Sequence, residues 1–188
     1  MRIIALGFFA LALNACGQPA QQQTHADTCA RTATHEVTWS EENAPDVITA
    51  TSSGPSCKQA VVTWVLRNAE GDALWVHSGT FYDMTAGGMP PADAPAVTNE
   101  QMDTFLSGWA DVTIAHTSDL PEWREGVASL SESVQGMSYD TPFDRETYEA
   151  MRARNLPQLC FAAAVEASHC LIMDPASHAP TVIVMFGP

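Results

Sequence analysis

Residues 60–81 read AVVTWVLRNAEGDALWVHSGTF. Two runs, 60–67 and 73–81, are rich in β-branched and aromatic residues, and five residues with a glycine among them separate the two. That is the composition of a β-hairpin, because such side chains pack well on a pleated surface and glycine allows the turn its backbone. If Arg67 pairs with Ala73, Trp64 opposes Val76 and Leu66 opposes Leu74. Val62, Trp64, Leu66, Leu74 and Val76 then make the core face, while Thr63, Val65, Arg67, Trp75 and His77 make a mixed outer face. Register carries this assignment, since a slip of one residue turns every side chain to the other side. On this reading Trp75, with Thr63, Arg67 and His77, is the best candidate for a ligand face.

Working outward, 35–40 and 46–51 read as strands around the turn EENAP at 41–45. Residues 85–97 (TAGGMPPADAPAV) hold too much proline and glycine for regular structure and read as a long loop. A helix is expected from Thr98, with Gln101 completing a capping box and Met102, Phe105, Leu106, Trp109 and Thr113 on one stripe. Residues 121–130 suggest a short helix. TPFD at 141–144 predicts another, with Thr141 as cap, Pro142 in the first position and an acid following. It should run to about Arg154, with Arg145 and Glu149 one turn apart. The apolar segments 159–165, 170–173 and 181–186 read as strands, although Pro157 and the alanines also permit a helix over 157–167. Strands, then helices, then strands indicate a single α+β domain, mainly antiparallel sheet, with two or three helices in the middle of the chain.

The chain opens MRIIALGFFALALNAC. One basic residue precedes eleven apolar ones, 3–13, which is short of the roughly 20 that a membrane-spanning helix needs. A basic start, a short apolar run and small residues make a secretory leader. Leu13-Asn14-Ala15-Cys16 resembles the lipobox of bacterial lipoproteins, with Leu three residues before the cysteine and a small residue beside it. The resemblance implies cleavage before Cys16, diacylglycerol on its thiol and an acylated new amino terminus, so that lipid makes the membrane contact. Two or more acyl chains hold stably where one does not. Gly17 after the cysteine, in place of Asp, implies an outer-membrane position facing the periplasm in a host that has one. Residues 1–15 are then a signal peptide and 16–28 a polar, lipidated tether with a reach of roughly 17–21 Å. Residues 29–188 are the globular domain.

In an exported chain the remaining cysteines, Cys29, Cys57, Cys160 and Cys170, read as two disulfides with three possible connectivities. The local solution, Cys29–Cys57 with Cys160–Cys170, is expected, the second fitting a hairpin. No Cys-x-x-Cys occurs to support a redox motif or a zinc ribbon.

Twenty-two Asp and Glu stand against eight Lys and Arg, a net charge of −14. Loss of Arg2 with the leader would bring this to −15. Such a chain has no basic surface to neutralise phosphates, which excludes nucleic acid as a partner, and it would be repelled by anionic lipid. No nucleophile elbow, phosphate loop, dinucleotide fingerprint or zinc helix is present, and no catalytic, cofactor or metal residues are assigned. The histidines at 25, 35, 77, 116, 169 and 178 are too scattered to give ligand spacing. Met84 and Met89 flank a glycine turn, a soft-metal pattern, but core filling accounts for the methionines more simply. The leading expectation is a non-enzymatic envelope lipoprotein that binds another envelope component. A periplasm-facing hydrolase built from scattered His, Asp and Ser is the alternative, and small-ligand or metal capture is the third. A His–carboxylate pair near a Ser would favour the enzyme.

Overall fold

The computed structural model describes residues 29–88 and 92–188; the expectations for the leader, Cys16, the tether and Met89 lie outside them. The alternation seen at 60–81 builds a four-stranded antiparallel sheet of β1 (Arg31–Glu41), β2 (Ala44–Ser53), β3 (Val61–Arg67) and β4 (Ala73–Thr80), in that order. Ile48, Ala50, Val62, Trp64 and Leu66 form its inner face, each fully buried. Its outer face carries cross-strand rows of threonine, serine and valine, among them Thr32, Thr51, Thr63 and Ser78.

A six-residue helix, α1 (Phe81–Ala86), leads out of β4, and α2 (Asn99–Ala110) follows the loop. Thr98 caps α2, and Gln101 closes the capping box as the sequence predicts. Met102, Leu106 and Trp109 of α2 join the core of the first sheet. A second antiparallel sheet is assembled from β5 (Ile114–His116), β6 (Ser138–Asp140), β7 (Pro157–Ala164), β8 (Ala167–Met173) and β9 (Pro180–Gly187), in the order β5-β7-β8-β9-β6. Its Leu159, Phe161 and Leu171 enter the same core, with Phe161 stacked on Trp64 at 4.9 Å between ring centres. The buried Trp64 indole also donates to the Trp109 carbonyl at 3.1 Å, which ties the sheet to the end of α2. The far side of the second sheet buries Ile172, Ile183 and Val184 against Leu120, Leu130 and Tyr148, the last from α3 (Arg145–Ala153). The result is an α+β fold dominated by antiparallel sheet.

Both disulfides take the local pairing. Cys29–Cys57 ties the chain ahead of β1 to the 3₁₀ turn between β2 and β3, and Cys160–Cys170 joins directly opposed residues of β7 and β8.

The register within the first hairpin departs from expectation. Arg67 does pair with Ala73, but Leu66 then pairs with Trp75, Val65 with Val76 and Trp64 with His77. Leu74 is the extra residue of a β-bulge next to the five-residue loop, and beyond it every side chain of β4 is reversed. Val76 is consequently 56% exposed, while Trp75 and His77 turn toward the core side. The supposed ligand face of Thr63, Arg67, Trp75 and His77 is therefore split, with Thr63 and Arg67 on the outer surface and the two rings inside.

Two boundaries also differ. Phe81 starts α1 where β4 was expected to continue, because Thr80 and Asp83 form a capping box of their own. The helix after TPFD begins at Arg145 with Asp144 as its cap, since the Thr141 hydroxyl is committed to the Ile183 carbonyl at 2.7 Å. Glu149 is bound by Arg152 and the Trp123 amide, and Arg145 is not its partner. No α-helix forms over 121–130, where Pro121 and a carboxylate-held Trp123 amide hold the chain in turns. The segment 157–164 is a strand, not the permitted helix. Among the described residues no helix is long and apolar enough to cross a membrane.

Candidate functional site

A concavity opens where the β1–β2 hairpin tip meets the β5–β7 edge of the second sheet. It is a cleft of about 660 Å³, within the range of small-ligand and peptide pockets. Ile114, Leu156 and Met173 supply apolar walls, His116 an imidazole, and Glu41 and Glu42 an acidic lip. The hairpin is fixed there by Trp39, which is almost wholly buried and whose indole N–H donates to the Pro157 carbonyl at 3.3 Å.

Asp46 shapes the hairpin tip. It is 1% exposed, and its carboxylate accepts from the Trp39 amide at 3.0 Å, the Ser40 amide at 2.7 Å and the Ser40 hydroxyl at 2.5 Å. Three donors compensate the cost of burying the charge. They take three of the roughly four acceptor sites of a carboxylate. On the opposite wall the buried Thr117 hydroxyl donates to the Met151 carbonyl at 3.0 Å and accepts from the Leu156 amide at 2.9 Å. This clamps the end of α3 to the segment after β5, so both walls are held by buried polar anchors.

The cleft contains Ser and His and has a carboxylate behind it, which is the set a hydrolase would use. The bonding runs otherwise. A nucleophilic Ser gives its proton to His, and the carboxylate orients the imidazole. Here Ser40 donates directly to Asp46, and Asp119 accepts from the His116 backbone amide at 3.1 Å. These bonds brace turns.

The displaced rings of β4 make a second grouping. The His77 ring nitrogen Nε2 lies 2.8 Å from the Ala163 carbonyl; since a carbonyl only accepts, this nitrogen carries the proton. His169 of β8 lies 6.4 Å away, centre to centre. Burial, and then the neighbouring His77, push the His169 imidazole below its usual value, which keeps it neutral at physiological pH. Phe161 and Trp109 wall the pair at 5.4 and 6.2 Å from His77. Among the described residues no three His, Cys, Asp or Glu side chains gather as a metal cage.

Neither site was assembled by the sequence reading. The cleft unites 38–43, 114–116, 156–157 and Met173, four segments whose meeting depends on how the two sheets pack. The one local signal was a buried Trp beside paired acids at a turn. Comparison with known proteins finds no family model, no curated protein and no solved structure that matches the chain.

Proposed function

We propose that this chain is a lipid-anchored, non-enzymatic envelope domain that grips a segment of another envelope component in the cleft beside the β1–β2 tip. The observation that carries the reading is the cleft itself: apolar walls of Ile114, Leu156 and Met173 behind a lip of Glu41 and Glu42. An apolar anchor with basic residues at its flank is the complementary partner, burying its side chain while its cations meet the acids. The lipobox-like residues 13–16 and two disulfides are in keeping with export to an oxidising compartment.

The test places a photo-crosslinking residue at Asn43, on the cleft rim, and at Ser78, on the outer sheet face, in the full-length lipidated chain within native envelopes. One dominant adduct from position 43, absent from position 78 and abolished by E41K with E42K, is expected. Equal labelling from both positions, or none from 43, would remove the cleft from consideration.

A further inference from the structure

We propose that the outer face of the first sheet is an interface between two copies of this chain, in which Glu36 of each copy meets Arg67 of the other. Strand alternation builds the face: where Ile48, Ala50, Trp64 and Leu66 turn into the core, their chain neighbours turn out. Cross-strand pairing sets those neighbours in rows. Thr34, Thr49, Val65 and Val76 make one row, and Glu36, Val47, Arg67 and Ala73 make the next. Helix α2 and the second sheet pack on the inner side, so the rows are left to solvent. Among the described residues the exposed large apolar side chains are Val61, Val76 and Met137, and both valines lie on this face.

Charge points to a second copy as the occupant. A chain of net charge −14 repels its own copies over most of its surface. The three rows from Thr32 to Glu36 depart from that pattern, holding one acid, Glu36, one base, Arg67, and no other charge. Both side chains are exposed, and neither belongs to an ion pair among the described residues. They stand in one row with Val47 between them, about 10 Å apart at twice the usual strand spacing.

Symmetry completes the pairing. Two sheets pack face to face about 10 Å apart with their strands nearly aligned. A two-fold axis along the strands, between β2 and β3, lays β1 on the partner's β4 and β2 on the partner's β3, row upon row. Glu36 then lies over the partner's Ala73, a small residue, and one strand from the partner's Arg67. The two-fold makes that contact twice, and no like charges face each other. Val65 meets the partner's Thr49, and Val76 meets the partner's Thr34. Four strands about 4.8 Å apart and rows about 6.8 Å apart give roughly 400–500 Å² on each copy. The total of roughly 800–1,000 Å² is that of a transient interface, one that forms and dissociates.

A photo-crosslinking residue at Val65 in the full-length chain, expressed in cells with its disulfides intact, captures such a contact. Tagged and untagged copies are expressed together, so a self-adduct is recognised by its doubled mass and by its containing both forms. The wild-type face is expected to give that adduct as its main product. Glu36→Arg alone and Arg67→Glu alone should each reduce it by more than about tenfold, because each sets two like-charged pairs across the interface. E36R and R67E chains expressed together should recover it as a mixed adduct, since each then meets the opposite charge; a misfolded variant would not. No self-adduct from Val65 overturns the interface, as does an adduct with a different protein in its place. Undiminished self-adducts from the single variants, or no recovery on mixing, do the same. Doubled mass also separates this product from the heterologous adduct sought at Asn43, so either reading can fail alone. A self-adduct at Ser78, on the same face, belongs to this interface and not to the cleft's partner.

Discussion

Thr117→Val tests the clamp that supports one wall of the cleft. The replacement keeps the shape of a fully buried side chain and removes only its hydroxyl. The Met151 carbonyl keeps a second donor, the Arg154 amide at 3.2 Å, so its loss is small. The Leu156 amide loses its acceptor outright in a buried setting. An orphaned buried donor costs about 1–3 kcal/mol, the missing hydroxyl bond about 1 kcal/mol, and the added apolar methyl returns somewhat less than that. The expected net loss is about 2 kcal/mol, a fall in Tm of roughly 4–8 °C for a domain of this size. Urea unfolding followed by tryptophan fluorescence, disulfides intact, measures it, and an unchanged m-value certifies that stability alone has moved. Thr117→Ser keeps the hydroxyl and should lose only about 0.8 kcal/mol for one buried methyl. A Val variant within about 0.5 kcal/mol of wild type would refute the reasoning, because it would mean that neither bond contributes net stability.

Asp144→Ala should show a pH signature. The Thr147 amide, accepted by the Asp144 carboxylate at the head of α3, holds that carboxyl below its ordinary 3.8, so its stabilisation is complete above the unfolded value and lost as pH falls through the depressed folded one. The stability gap between variant and wild type, open at pH 6, should close by the most acidic measurable pH; a gap that widens there reverses the sign. Gln158→Met should raise the unfolding free energy measured in urea by roughly 1 kcal/mol, because the Gln158 carbonyl oxygen is buried without a partner; a drop would reveal one. Replacing Cys29 and Cys57 together by Ala should cost roughly 3.6 kcal/mol by loop-closure entropy, and peptide mapping without reduction should recover Cys29–Cys57 and Cys160–Cys170, with no free thiol on the folded protein.

Where short-range chemistry decides, the fold was legible. The first hairpin, the capped start of α2 and the α+β class depend on residues within a few positions of each other or on composition, and both disulfides join cysteines that are consecutive in the sequence order of the four. What failed was set at longer range. A single extra residue, Leu74, inverted β4, and no residue type announces a bulge in advance. Thr141 has the look of a helix cap, yet a carbonyl more than forty residues away takes its hydroxyl. Trp75 and His77, read as facing outward, turn to the core side. Trp39 meets Pro157 only because the two sheets close on each other.

The Cys29–Cys57 bond has a mechanical meaning. In the anchored arrangement proposed above, every load on the domain enters at Cys29. Without the crosslink the pull would run directly into β1, an edge strand, and edge strands peel from their neighbour like a zipper, one pair at a time. With it, tension crosses from Cys29 into the turn between β2 and β3 and bypasses β1 altogether. The stretch that would tear first is off the load path, and the domain behaves as a weight hung from its middle.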